Sequence, residues 1–457
     1  MSDLRNILVF TTEFPPTPIV GALRLGKLCT YLPRYGWQPS VVTVAHSAHT
    51  PTRDPLSDQP LRPLTYQGER LIEVVAPWAP NPLVIGSRMR RRVWPLRGDG
   101  NASAPTDDLF KPPHRRVAWE LTKRMVPDEY ALWVLPAVFR GLQIARKKRI
   151  DCVWASFPWA SGVAAAAFVS KRIGAPLLVD FRDSWASWHP VVEAPVWRQR
   201  IEEAIERRVF RAARAATAVN AAMARDIRSR HPGFTGVVET LPQGWDPVEA
   251  SSLEELRPAS ESDGVLRICY GGIVRPDVSN PTSFFDALAL LKKQEVINPA
   301  RIKVTFFGNQ LMDLRGLART KGIDDIVRVG PHRDRREALV EFARADTLLM
   351  IGIKKDPDWL TGKVWDYLSA RRLIMAIGHR YTAAAEVLST TGTGWVARPD
   401  DVPEIAEMLA RLWKSFEADG CVPYEPNADE LNRYSIAQIA SRAAHLLDSL
   451  VGSGSSP

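Results

Sequence analysis

The sequence predicts an α/β protein made of two doubly wound parallel-sheet domains. Three observations predict it. Short, continuous apolar runs alternate with helical periodicity in both halves of the chain. A polar stretch near 247–265, beginning PVEASSLEEL, separates the two series. At 457 residues the chain is also about three times an ordinary single-domain length.

The first series starts at Asn6–Thr11 (NILVFT), an apolar run of the kind buried in a parallel sheet. A proline-rich loop follows, Glu13-Phe14-Pro15-Pro16-Thr17-Pro18, and then Gly21. Leu25, Leu28, Cys29 and Leu32 recur at i, i+3, i+4 and i+7, which predicts an amphipathic helix stopped by Gly36. Ser40–Val44 (SVVTV) reads as the next strand. The alternation resumes with a strand at Asp151 (DCVWAS), an alanine-rich helix near 160–173, a strand over 175–181 (APLLVDF) and a helix over roughly 194–213. Residues 45–130 lack clear periodicity and hold many prolines, so they read as an insertion, with 95–113 a mobile loop. The first domain is therefore expected over 1–250.

The second series runs through LRICYGG (266–272), IKVTFFGN (302–309), DIVRVG (325–330), DTLLMIG (346–352), RLIMAIG (372–378) and GWVARP (394–399), with helical segments between. A second domain over 251–434 follows. A helix at about 435–450 with a tail to 457 is expected to pack back on the first domain.

Composition narrows the class. The chain is 45% hydrophobic and 24% charged, with no low-complexity bulk. Four scattered cysteines without CxxC spacing argue against a zinc ribbon or a disulfide framework and fit a reducing cytosol. The start lacks a basic leader with a long apolar core, so secretion is not expected, and no apolar run is long enough to span a membrane. Residues 1–250 carry a net charge of +11 and residues 251–457 a net −2. Negatively charged partners should therefore meet the first half. Within it, Arg88–Arg97 (RMRRRVWPLR), followed by Lys111, His114, Arg115, Arg116 and Trp119, interleaves basic residues with tryptophan. That suits docking on an anionic membrane, although a solvated loop would read the same way. No nucleic-acid-binding module is recognisable.

The segment carrying most chemistry is Asp358-Trp-Leu-Thr-Gly-Lys-Val-Trp-Asp366. Gly362 and Lys363 stand just before a helix that opens at Val364, whose first N–H groups and positive dipole end favour a diphosphate. Asp366, one turn in, can accept hydrogen bonds from ribose hydroxyls, and Asp358 can orient sugar hydroxyls. Alone, both could equally be surface carboxylates around a plain glycine turn. At the end of a buried strand, Asp180-Phe181-Arg182-Asp183-Ser184-Trp185 offers an Arg182–Asp183 pair that could bind a hydroxyl or phosphate, or be a structural ion pair.

Taken together these segments resemble the family 4 retaining glycosyltransferases of the GT-B fold. The resemblance is carried by EFPP…GALRLGKL…YLPRYGW, by DFRD.W, by Leu241-Pro-Gln-Gly-Trp-Asp246 and by GKVWDYL. It is greatest to the bacterial cell-surface polysaccharide branch and spans nearly the whole chain outside 45–130. Two acidic residues eight positions apart, usually both glutamate in the family, are both aspartate here, each one methylene shorter. The resemblance implies two Rossmann-like domains facing across a cleft. It places the Gly21 backbone near the donor phosphates with Arg24 close by, and puts Gly272 and Arg275 of Gly271-Gly272-Ile273-Val274-Arg275 on the diphosphate. Gly308 and the Gly330-Pro331-His332 turn fall near the base. Arg182, Asp183 and Asp358 are the candidate catalytic residues. The implied reaction moves a sugar, with retention, from a nucleoside diphosphate sugar of UDP or GDP type to a hydroxyl of a glycan, lipid-linked or related acceptor. No cofactor and no metal are expected, because Arg275, Lys363 and a helix N-terminus can neutralise the leaving group. The expected setting is cytoplasmic, at most at the inner face of a membrane. Two other readings remain open at this point: a sugar-nucleotide epimerase or hydrolase on the same fold, and a non-catalytic membrane-associated scaffold.

Overall fold

The structure is a computed structural model, which describes residues 4–15, 20–44, 65–66, 69–70, 73–75, 124–185, 193–255, 263–352 and 360–452. The basic stretch at 88–97, its continuation to 119 and Asp358 lie outside the described residues. The chain divides into two compact units, residues 1–242 with 439–457 and residues 243–438.

The first unit is built on a parallel sheet. Its elements are β1 (Arg5–Phe10), α1 (Val20–Tyr31), β2 (Trp37–Val42), β3 (Glu73–Val75), α2 (Val134–Lys147), β4 (Cys152–Phe157), α3 (Ala160–Ile173), β5 (Leu177–Phe181), α4 (Val196–Ala212), β6 (Ala213–Ala218), α5 (Ala221–Arg230) and β7 (Val237–Thr240). The strand order is β3-β2-β1-β4-β5-β6-β7, all parallel. The order reverses between β1 and β4, the switch point at which doubly wound sheets bind ligands beyond the strands' carboxyl ends. β4 and β5 are buried along their whole length, which is why they read as unbroken apolar runs. The expected insertion is not wholly outside the sheet, because its residues Glu73–Val75 add the edge strand β3 beside β2. Three residues are too few to show a period in sequence.

A buried polar hub fixes the middle of this unit. Asp180 on β5 is fully buried and accepts a forked pair of bonds from Arg24 on α1, at 2.5 and 3.1 Å. It also accepts from Ser156 on β4 and Thr217 on β6, its neighbours in strand register. Arg24 donates again to the Leu241 carbonyl at 2.8 Å. Three strands, one helix and the exit of the unit are thereby tied to one carboxylate.

The second unit opens with α6 (Pro247–Glu255), then β8 (Leu266–Gly271), α7 (Thr282–Lys293), β9 (Ile302–Phe307), α8 (Leu314–Thr320), β10 (Val327–Val329), α9 (Arg335–Arg344), β11 (Thr347–Gly352), α10 (Gly362–Ala370), β12 (Leu373–Gly378), α11 (Ala383–Thr391), β13 (Gly394–Ala397), α12 (Val402–Asp419) and α13 (Ala428–Arg433). Its parallel sheet runs β10-β9-β8-β11-β12-β13, with the switch between β8 and β11. The division falls after Pro242 rather than at 250, and the start of the polar stretch is helical: α6 buries Ala250 and Leu253 against the second unit. The last helix, α14 (Ile436–Gly452), buries Ile439, Ala443 and Leu447, and its Asp448 accepts from Arg5 and from the Trp37 indole of the first unit. Among the described residues no helix is long and apolar enough to cross a membrane.

Candidate functional site

The second sheet presents glycine at nearly every carboxyl end. β8 ends in Gly271-Gly272, β9 is followed by Gly308, β10 by Gly330, and β11 and β12 end at Gly352 and Gly378. Without side chains there, backbone and deeper side chains line the edge where such sheets take ligands. Two of these glycines are obligatory. Gly272 has φ +127 and Gly308 φ +118, and a Cβ on Gly308 would sit 2.3 Å from the Gly272 oxygen. The two loops are laced by Gly272 N–H to the Phe307 carbonyl and Val274 N–H to the Asn309 carbonyl, both 2.9 Å.

Lys363 reaches this edge from the first turn of α10. Thr361 caps that helix, its hydroxyl accepting from the Lys363 N–H at 3.0 Å. The Lys363 ammonium donates to the Tyr270 hydroxyl at 2.7 Å and lies 4.1 Å from the centre of the Tyr270 ring. A Cβ on Gly272 would fall 2.4 Å from the Lys363 Cε, so Gly272 is what admits the side chain. Burial pushes the Lys363 ammonium down to about 8, and among the described residues no carboxylate offsets that. Burial likewise raises the Tyr270 hydroxyl to about 12, so it stays a neutral donor, and it gives its proton to the Ile273 carbonyl at 2.8 Å. Gly362 thus opens a nine-residue helix with the positive end of its dipole at this edge, and Lys363 adds a desolvated cation, while Val364 behind them is fully buried.

Arg275 stands in the loop after β8. Its guanidinium forks onto Asp277 at 3.0 and 3.1 Å, and both side chains are about half exposed. Ser279 holds the loop, receiving the Arg275 N–H and donating to the Ile273 carbonyl. An anion binding here has to displace Asp277 from an exposed pair, which costs little. Gln310 of the Gly308 loop bonds the Gly330 carbonyl at 3.5 Å, so Gly308 and Gly330 lie on adjoining loops.

Asp366 sits on α10 one turn beyond Lys363, but it is not a lone carboxylate. Arg335, the first residue of α9, donates to it at 2.7 Å and forks onto Glu249 of α6 at 2.6 and 3.0 Å. Sequence reasoning missed both Arg335 and Glu249. Arg335 lies in a charged run, HRDRRE, and Glu249 in the expected linker, so neither has a local signature.

In the first unit, Gly21 and Arg182 meet. A Cβ on Gly21 would lie 0.9 Å from an Arg182 Nη atom, so the guanidinium occupies the space the glycine leaves. The charge partner of Arg182 is Glu13, not Asp183: Nη2 donates to Glu13 at 2.8 Å and Nε to the Phe157 carbonyl at 3.1 Å. Glu13 in turn accepts from the Trp159 indole at 2.9 Å. The expected Arg182–Asp183 pair is therefore corrected. Asp183 is exposed; crowding by nearby protein raises its carboxyl and the Arg182 charge opposes this, with open water tempering both effects. Arg24, expected near the donor, is 2% exposed and committed to Asp180 and Leu241 as described above. Its side chain serves the interior of the unit. Among the described residues no three His, Cys, Asp or Glu side chains gather in a metal-holding group.

Comparison with known proteins now adds to this geometry. Residues 102–249 match the model of a family described as Glycosyltransferase Family 4. No curated protein matches the sequence. Among solved structures, Alr3699/HepE of Anabaena in complex with UDP is similar at 14% identity and a TM-score of 0.56, over 98% of this chain and all of that one. An α,α-trehalose-phosphate synthase (UDP-forming) from Burkholderia vietnamiensis is similar at 11% identity and a TM-score of 0.59, over 99% of this chain and all of that one. An Escherichia coli trehalose-6-phosphate protein bound with UDP-2-fluoro glucose matches at 14% identity and a TM-score of 0.54, over 98% of this chain and 95% of that one. At such identities the likeness speaks for the fold. The chain therefore has the GT-B fold, and its residues 102–249 match the model described as Glycosyltransferase Family 4.

Proposed function

We propose that the protein is a nucleotide-sugar-dependent glycosyltransferase that transfers a sugar, with retention of configuration, from a nucleoside diphosphate sugar to an acceptor hydroxyl. The observation that carries this is the Lys363 ammonium at the α10 N-terminus, delivered to a glycine-rimmed sheet edge through the gap at Gly272. A diphosphate there meets the positive end of a helix dipole and a cation freed from solvent. Arg275 adds a second cation by exchanging Asp277 for phosphate. Donor positioning and stabilisation of the departing diphosphate then supply the catalytic effect. These groups neutralise the leaving group without a metal in this reading. The HepE and trehalose-synthase structures contain or name UDP and UDP-sugars, which supports a UDP-type donor. Asp366 takes the ribose hydroxyls, Asp358 the sugar hydroxyls, and Arg182 with Glu13 organises the acceptor end.

The test is a thermal-shift panel of UDP, GDP, ADP and dTDP, followed by product analysis with and without a glycan acceptor. Stabilisation by none of the four would sink the reading. Turnover of the donor that is unchanged by acceptor would turn it into an epimerase or hydrolase instead.

Peripheral contact with an anionic membrane belongs to the same proposal, and an exposed helix layer of the first unit supports it. α3 packs between α2 and α4, and this helix layer exposes Leu132 just ahead of α2, Leu135 and Phe139 on α2, Phe168 on α3, and Val196, Trp197 and Ile201 on α4. α2 and α3 carry Arg140, Arg146, Lys147, Lys171 and Arg172 and no acidic residue. Large exposed apolar side chains beside the cations of two helices that contain no acid suit a headgroup layer.

A further inference from the structure

We infer that Arg335, backed by Glu249, is a positioning residue that fixes the Asp366 carboxylate for the ribose of a bound nucleotide. The inference rests on the nucleotide-binding reading above and deepens it.

Arg335 occupies a position that electrostatics disfavours. It is the first residue of α9, directly after the Asp334 cap and its capping box with Glu337, where the helix dipole repels a cation. Something must offset that, and two carboxylates do. Glu249, in the first turn of α6, takes both arms of the guanidinium fork, and one arm is shared with Asp366. Burial on its own would lower the guanidinium's affinity for its proton, but Asp366 and Glu249 more than restore it. Three helices, α6, α9 and α10, are joined at this one group.

The consequence falls on Asp366. The last torsion of an aspartate side chain is broad, so an unsupported carboxylate samples many orientations. A charge-assisted bond to one oxygen selects among them. The fork itself is held by Glu249 rather than by Asp366, so the direction of pull is set from behind. A carboxylate held in this way accepts hydrogen bonds, as hydroxyl donors require. Lysine has no fork and cannot bridge both carboxylates in one plane. None of this touches the diphosphate, which Lys363 and the helix N-terminus hold. The role is therefore separable by ligand chemistry: it should show only when the ligand carries ribose hydroxyls.

The experiment compares, by calorimetry, whichever of uridine, guanosine or adenosine 5′-diphosphate binds the full-length protein best with its 2′,3′-dideoxy counterpart. Arg335→Lys and Glu249→Gln keep size and most of the polarity and are tested beside wild type, with denaturation midpoints recorded. Each variant should weaken the ribonucleotide by about tenfold, the scale of one hydrogen bond to a charged group, and the dideoxy nucleotide by less than about twofold. Equal weakening of both ligands, or of neither, overturns the inference while leaving the nucleotide reading intact. Failure of wild type to bind any ribonucleotide overturns this inference, and failure to bind dTDP as well removes the nucleotide reading with it.

Discussion

The Lys363 side chain runs through the space that a Cβ on Gly272 would fill, its Cε 2.4 Å and its Nζ 2.6 Å from that position. A glycine on one loop and a lysine on a helix some ninety residues later are thus one structural unit. Gly272→Ala should do two things. It strains a backbone at φ +127, costing about 1–3 kcal/mol, and it pushes the ammonium off Tyr270. Nucleoside diphosphate affinity should drop by about tenfold or more. Gly322→Ala is the control, because that residue has φ +67 with nothing within 4 Å of its Cβ. It should lose stability by a similar mechanism and keep its affinity; an equal loss of binding in both would refute the steric link.

Lys363 also sets a pH dependence. Its ammonium is pushed down to about 8 by burial, against 10.5 for a free lysine. Below pH 8 it is charged and binds a diphosphate; above, it loses its proton and the attraction fades. Between pH 7.5 and 9.5 the phosphates themselves are fully ionised, so binding measured by calorimetry should weaken as pH rises. For stability the sign is opposite. Between about 8 and 10.5 the unfolded chain binds the extra proton, so this residue's penalty on folding is relieved with rising pH. Lys363→Arg, which does not titrate in this range, should abolish the decline in affinity. A decline that persists in that variant would assign it to another group.

Arg24 and Asp180 make a contrasting prediction. The pair is buried in a network with Ser156, Thr217 and the Leu241 carbonyl. Arg24→Met strands a buried carboxylate, which costs about 3–5 kcal/mol. The denaturation midpoint should fall steeply, with donor affinity preserved in whatever fraction remains folded. A variant of normal stability that loses donor binding would return Arg24 to the phosphate site.

The same comparison shows what the sequence could and could not disclose. Strands such as LLVDF and TLLMIG are buried on both faces, so their largely apolar runs locate these two strands within two residues, whereas β6 and β7 do not read as strands in the sequence. The start of the helix, expected at Val364 and found at Gly362, is legible to within two residues, since a glycine and a lysine precede the apolar run; the Thr361 cap goes unread. The partnerships are not. Arg182 finds Glu13 across 169 positions, Arg24 finds Asp180 across 156, and Arg335 gathers Glu249 and Asp366 from two other helices. A charged residue in a polar run looks solvated until the fold brings its partner. For that reason DFRD read as a local Arg–Asp pair, although its first aspartate is a core hub and its arginine pairs elsewhere.

Arg182, wedged into the gap at Gly21 and held by Glu13, should act as a rigid group. Gly21→Ala removes that gap and must displace the guanidinium, whereas Glu13→Gln leaves it in place with a weaker hold. We expect transfer to fall by about a hundredfold or more in Gly21→Ala and by about tenfold in Glu13→Gln, on the scale of misplacing a positioning group. Asp183→Asn is the informative companion. Asp183 is exposed and outside the Arg182 pair, so a loss as large as that of Gly21→Ala would make it a substrate-touching group in its own right.

The exposed helix layer of the first unit supplies a last prediction. Leu135 is 79% exposed and Phe139 57%, one turn apart on α2, with Arg140, Arg146 and Lys147 on the same helix and no acid in it. Apolar groups at that exposure gain free energy by entering a headgroup layer, and the cations add about 1 kcal/mol each near an anionic surface. Vesicles containing phosphatidylglycerol should therefore carry the protein in flotation, and neutral phosphatidylcholine vesicles should not. Leu135→Glu with Phe139→Glu should release it from anionic vesicles while leaving nucleotide affinity unchanged, since neither residue belongs to the donor edge. High salt should weaken the wild-type interaction, because the cations are solvent-facing. If the double variant floats as well as wild type, the apolar face serves another purpose. If wild type fails to float at all, the basic excess of the first half is not a membrane signal.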